Sequence, residues 1–334
     1  MIENRVKEHL ESITDKDKAK LGNSAEVESF VDILFEEPRG WKIIEGWRDD
    51  VPLFQIENTY ELQKLKDRVR SILRSNSYIN QFASDFLHLY GGFKQNEAEQ
   101  VNQFLKELEE NRILEKTGGV INICPYCGKV EYQQGQGDCT KCEHDNVSMV
   151  SIFKCQLADK LRSAIQKGIV LELYVSKCFR KNNIEVVCEE LDQDKVCTSL
   201  EFDVGQGTPK DIDVLGYKEA SGTDGGGKFT DLHIIMAECK MGKLTDGKIA
   251  EKNNDFTNFF DKLRKDFNGE KYRNVVPHKL FIGYSIDKEI KDAPYSRSTL
   301  IDIDDLNRVG DLVEKKIERD SYRRTLKEFQ TKSN

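Results

Sequence analysis

Three things are missing from this chain, and each absence excludes something. No apolar run reaches the roughly 18 to 20 residues that a bilayer-spanning helix needs, so no membrane partner is expected. The opening MIENRVKEHLESI is charged where a secretory signal would be apolar, and a cytoplasmic protein is expected. There is also no basic excess: 59 acidic residues outnumber 51 Lys and Arg, giving a net charge of -8. Phosphate binding usually leaves a basic footprint, so a protein coated with nucleic acid is disfavoured, and any such contact needs a local patch. What the chain does have is length. Its 334 residues, 38% of them apolar, allow two or three units with cores of their own.

Residues 1–115 have a helical texture, with apolar positions three and four apart in Val27-Phe30-Val31-Leu34-Phe35, Leu62-Leu65-Val69-Leu73 and Ile79-Phe82-Phe86-Leu89. A further helix follows with Val101, Leu105 and Leu108 on one face, then a turn at Gly118-Gly119 and a short strand. Helix, tight turn and strand outline a winged helix and equally an ordinary helix and hairpin. The helix is acidic, whereas phosphate contact prefers Lys and Arg.

Residues 116–152 hold CPYCGKVEYQQGQGDCTKC, with Cys124 and Cys127 in one Cys-x-x-Cys pair and Cys139 and Cys142 in another. Two such knuckles let four thiolates converge tetrahedrally on one zinc ion, and Gly128 suits the close turn after the first pair. A four-thiolate shell leaves no open coordination position, so the expected zinc is structural and staples a ribbon too small to fold alone. The other five of the nine cysteines are scattered singly and are expected to be reduced.

From residue 153 to 334 the pattern becomes α/β. LADKLRSAIQKGIVLELYVSKCFRKNN predicts one long helix whose apolar stripe, Ile165, Ile169, Val175 and Phe179, carries Glu172 in its middle. A strand near residues 184–188 precedes TPKDIDVLGYK, read as a strand with Asp211 and Asp213 on one face. KEASGTDGGGK is read as a loop, and DLHIIMAECK as a buried strand on which Glu238 and Lys240 share a face. Glu172, Asp213, Glu238 and Lys240 then gather at one end of a sheet. Three acids suit a hard divalent cation, and a lysine suits the charge developing on a phosphate or the orientation of a water. The plain alternatives are a boundary Glu172 and a cross-strand pair of exposed charges.

The helix bearing Glu172, DIDVLG and IIMAECK, in that order, resemble the PD-(D/E)XK nuclease superfamily, nearest to its Mrr-like restriction endonucleases and archaeal-type Holliday-junction resolvases. The later KLFIGYS and STLIDIDDLNRV look like the closing strands and helix of the same core, so the resemblance spans residues 157–312. Ile212 stands where the name-giving proline would precede Asp213. The resemblance implies an α/β restriction-endonuclease-like αβββαβ core, a mixed sheet flanked by helices. It also implies a magnesium- or manganese-dependent deoxyribonuclease, with Asp213 and Glu238 holding the metal and Glu172 and Lys240 completing the catalytic set. A role in defence against foreign DNA or in DNA processing comes from the family alone. The alternative is a nuclease fold that no longer cuts and serves as a binding module.

Residues 240–273 offer a local basic surface, nine Lys or Arg against six acids, on a helix whose Phe256, Phe259 and Phe260 are expected to face the core. Cys239 is expected to pack on the opposite face from Glu238, and His233 and His278 are read as structural. Duplex DNA is the expected partner, and its twofold symmetry makes a homodimer the matching assembly.

Overall fold

The computed structural model describes residues 2–13, 16–36, 40–41, 53–56, 95–124, 130–133, 138–140, 142–143, 148–191, 194–202, 209–224, 227–267, 272–286 and 298–332. The expected helices over 62–73 and 79–89 lie outside them. The protein is mixed α/β and divides into two compact units, residues 1–38 with 163–334, and residues 39–162. Residues 1–38 therefore group with residues 163–334.

The chain opens with α1 (Ile2–Lys7), β1 (Leu10–Ile13), α2 (Lys16–Gly22) and α3 (Ala25–Glu36). Helix α3 buries Val27, Phe30, Val31 and Leu34, the stripe its spacing predicts. The second unit contains β2 (Leu53–Ile56), α4 (Gln95–Glu110), β3 (Leu114–Ile123), β4 (Val130–Gln133) and β5 (Ser148–Leu157), with an antiparallel sheet in the order β2-β5-β3-β4. Gly118 and Gly119 form no turn here. They sit inside β3 opposite Phe153 and Ile152 of β5, because a ladder satisfies their backbone groups as fully as a turn would.

Helix α5 (Asp159–Gln166) leads into α6 (Ile169–Lys181). The single long helix expected here is broken at Gly168, whose φ of 82° is left-handed and favours a residue without Cβ. Helix α6 still buries Ile169, Glu172, Val175 and Phe179 on one stripe. After β6 (Glu185–Val186), the stretch ahead of TPKDIDVLGYK contains a hairpin of β7 (Glu189–Leu191) and β8 (Asp194–Val196). Cys188 and Cys197 flank that hairpin and are joined by a disulfide, against the expectation of reduced thiols. Pairing of Glu189 with Val196 sets the two cysteines opposite one another, a neighbourhood their separation in sequence does not announce.

β9 (Leu200–Phe202) and β10 (Lys210–Ile212) form a sheet in the order β1-β9-β10. The one strand expected through TPKDIDVLGYK bends at Asp213, and β11 (Val214–Asp224) continues into the main sheet. β11 runs through most of the supposed KEASGTDGGGK loop and pairs antiparallel with β12 (Gly227–Leu244). Helix α7 (Asp246–Phe267), β13 (Asn274–Ile286), β14 (Ser298–Ile301), a 3-10 turn (Ile303–Arg308) and α8 (Val309–Lys332) complete the chain. The main sheet has the order β14-β13-β12-β11-β6, parallel across β12, β13 and β14 and antiparallel beyond.

β12 is buried from Asp231 to Cys239. Helix α6 packs on β11 and β12 while α7 packs on β12 and β13, which explains the unbroken apolar run. Phe256, Phe259 and Phe260 of α7 join Leu232, Ile234 and Met236 in one core, as their spacing implies. His233 and His278 are fully buried and hydrogen-bonded ring to ring at 2.8 Å. No helix among the described residues is long and apolar enough to cross a membrane.

Candidate functional site

At the end of β12 the sheet stops being apolar. Glu238 remains 2% exposed while Lys240, two residues on and on the same face, is half open with 38% of its side chain accessible. Their Oε1 and Nζ are 2.9 Å apart. Asp213 follows the bend between β10 and β11, one residue beyond the pairing of Val214 with Ala237, and so faces Glu238. The Cys239 backbone N–H donates to Asp213 Oδ2 at 2.6 Å and locks that carboxylate to β12. Cys239 itself is buried, with its side chain on the other face.

Glu172 arrives from the first turn of α6 with its carboxylate inward and 1% exposed. The four polar residues singled out in the sequence therefore lie in one compact unit, on a helix and adjoining strands.

Two further lysines enter the cluster. Lys18 of α2 donates to Glu172 Oε1 at 2.5 Å, and Ser199 Oγ donates to Glu172 Oε2 at 2.9 Å. Lys252 of α7 bonds the Asp211 carboxylate, donates to the Asp211 carbonyl at 3.1 Å and lies 3.3 Å from Glu238 Oε2. Lys252 was legible in principle, since it stands three residues after Ile249 and four before Phe256 on the buried stripe of α7. Lys18 carried no such signal, because only the tertiary fold returns α2 to a residue 154 positions away.

The electrostatics follow from crowding acids in a dry site. Burial, then the charge of Asp213, push the Glu172 carboxyl up to about 8 against the opposing Lys18 and Ser199 contacts. Burial and Asp213 likewise push Glu238 up to about 7, with Lys252 and Lys240 opposing. Burial raises Asp213 as well, against Lys18 and Lys240. Burial disfavours the charge on Lys240, but Glu238 and Asp213 outweigh it and hold the ammonium protonated. The same balance raises Lys18 through Glu172 and Asp213, and Lys252 through Glu238 and Asp211. Asp211 is lowered: its burial is overcome by Lys252.

In the other unit, Cys124, Cys139 and Cys142 bring their sulfur atoms within 4.8 Å of one another, and Cys124 Sγ is 3.4 Å from Cys142 Sγ. Three convergent thiols with no disulfide between them fit a soft divalent ion, and the group can bind a metal such as zinc. Cys127 lies outside the described residues. Among the described residues, no acidic set closes to that spacing; the site acids are interleaved with lysines.

No family model matches the chain, and no curated protein matches it. Among solved structures, protein VC1899 from Vibrio cholerae is similar at a TM-score of 0.34 and 11% identity, over 88% of this chain. The chain spans 57% of the length of that structure.

Proposed function

We propose that the protein is a metal-dependent endonuclease with a PD-(D/E)XK core, hydrolysing phosphodiester bonds of double-stranded DNA. The observation that carries this reading is the Glu238–Lys240 pair at the end of a buried strand, with Asp213 tied to the same strand by the Cys239 N–H. A helix acid, a strand acid and a Glu-x-Lys strand, followed by α7, β13 and β14 in a mixed sheet, occur in the order of the αβββαβ core.

A hard divalent cation fits Asp213 and Glu238 by donor chemistry, since both offer carboxylate oxygens. Glu238 Oε2 is buried and accepts no hydrogen bond from a described residue, with the Lys252 ammonium 3.3 Å away. Asp213 and Glu238 would hold magnesium or manganese, which when bound supplies Lewis-acid polarisation of the phosphate and activation of water. Lys240, kept charged and the most open of the site lysines, reaches the phosphate oxygens and offsets charge there. The apolar body of β12 and its helices keep these groups from shifting. Cys124, Cys139 and Cys142, with Cys127 as the fourth ligand that the paired spacing implies, would hold a structural zinc that takes no part in the chemical step.

Magnesium-dependent digestion of plasmid, linear and branched DNA, and of RNA, tests the proposal. Asp213→Asn, Glu238→Gln and Lys240→Ala should each lose cleavage by at least 100-fold while the far-ultraviolet spectrum and bound zinc stay unchanged. Wild-type rates in Glu238→Gln and Lys240→Ala would make the cluster a structural ion-pair network and leave a binding module in its place.

A further inference from the structure

Both oxygens of Glu172 are already occupied by the protein. Oε1 accepts from Lys18 Nζ at 2.5 Å and Oε2 from Ser199 Oγ at 2.9 Å, in a pocket where the carboxylate is 1% exposed. A carboxylate engaged on both sides is poorly placed to ligate a cation directly. It is well placed to hold an ammonium group, and the Lys18 side chain is only 15% exposed. The position of that ammonium is set by helix packing: α2 and α3 both pack against α6, and Ala19 and Gly22 are the buried residues of α2. Ser199, which bonds Glu172 Oε2, also donates its backbone N–H to the Asp213 carbonyl at 2.9 Å, so the Glu172–Lys18 pair stands beside Asp213 and not at the rim of the site.

Resting on the nuclease reading above, we infer that Lys18 is a built-in cation of the site: Glu172 positions its ammonium beside Asp213, where it replaces a second divalent ion. The site then takes one divalent ion, at Asp213 and Glu238.

The Lys18 ammonium takes one oxygen of Glu172 and Ser199 takes the other, so a second divalent ion would find neither oxygen open and would meet a like charge beside them. Glu172 is therefore a positioning residue acting through Lys18, and α2 is part of the site.

The test counts manganese bound to the full-length, zinc-loaded chain by electron paramagnetic resonance of the free ion. Ions held by Asp213→Asn/Glu238→Gln are subtracted as surface background. Wild type should bind one ion, Lys18→Met two, and Lys18→Arg one. Lys18→Met should also shift the magnesium dependence of cleavage to a changed midpoint, with Lys18→Arg restoring it. Two ions in wild type overturn the inference whether or not Lys18→Met folds. So does a folded Lys18→Met that still binds one ion with wild-type affinity. Either result leaves the nuclease reading standing if Asp213→Asn and Glu238→Gln abolish cleavage. No manganese binding and no cleavage in wild type would instead remove the nuclease reading, and this inference with it.

Discussion

Glu172 is the residue where burial and function pull hardest against each other. Its carboxyl is pushed up to about 8 from an ordinary 4.5, so the folded protein retains a proton that the unfolded chain gives up. The stability this confers is fully present below about 4.5 and is lost as pH rises through about 8. Glu172→Gln keeps the shape and removes the titration. Without added magnesium, the melting temperature of Glu172→Gln relative to wild type should rise between pH 5.5 and pH 9. Parallel melting curves for the two proteins across that range would mean that the carboxyl is not strained by its surroundings. Lys252 makes a second residue-scale case, because it joins Asp211 to Glu238. Asp211→Asn should lower cleavage less than Asp213→Asn, since Asp211 holds Lys252 and is not one of the two proposed metal ligands.

At the scale of elements, two glycines show how tightly the helices and strands around the site are set. Gly168 separates α5 from α6 with its left-handed φ, and a Cβ there would lie 3.7 Å from Glu172 Oε1. Space is adequate, so the cost of Gly168→Ala is conformational and should be about 1 to 2 kcal/mol, read as a lower denaturation midpoint with unchanged slope. Gly216 on β11 fails for a different reason. A Cβ would come within 2.9 Å of Ile184 Cγ2 and 3.1 Å of the Glu185 carbonyl, at the pairing of β11 with β6. Gly216→Ala should therefore cost about 1 to 3 kcal/mol through overpacking. A midpoint at the wild-type value would show that β6 can move aside. The hairpin of β7 and β8 adds a covalent constraint through Cys188 and Cys197, next to the Ser199 that bonds Glu172. Alkylation of the unfolded, unreduced chain should label Cys178 and Cys239 and spare Cys188 and Cys197; labelling of all four would show the pair to be reduced in solution.

For the whole molecule, the two units are stabilised by different means. Residues 1–38 and 163–334 share an apolar core built on β12 and α7, whereas the described part of the other unit holds the β2-β5-β3-β4 sheet, α4 and the cysteine group. The purified protein should carry one zinc per chain, and replacing Cys124 and Cys139 should remove it. Loss of that zinc should unfold residues 39–162 first, seen as early proteolysis there, while the acidic site remains protected. Simultaneous loss of both units would show that they fold as one. Cleavage of both strands of a duplex is best served by a twofold dimer, and light scattering at working concentration should give twice the chain mass. A monomer that cuts both strands at the wild-type rate would remove that expectation.

Periodicity alone was enough to place α3, the buried faces of α6 and α7, and β12, because burial on a stripe or on both faces imposes spacing that survives any tertiary arrangement. Alternation along β12 likewise put Glu238 and Lys240 on one face without knowledge of their neighbours. The sequence by itself also marked the paired cysteines, whose spacing is local. Gly118 and Gly119 misled because glycine permits a turn without requiring one, and Gly168 broke a helix that its apolar pattern would have carried through. Only the tertiary structure decided that Lys18 meets Glu172, that Cys188 meets Cys197 and that residues 1–38 join the far half of the chain. Those contacts depend on how separate elements pack, and packing leaves no periodic mark on the residues it brings together.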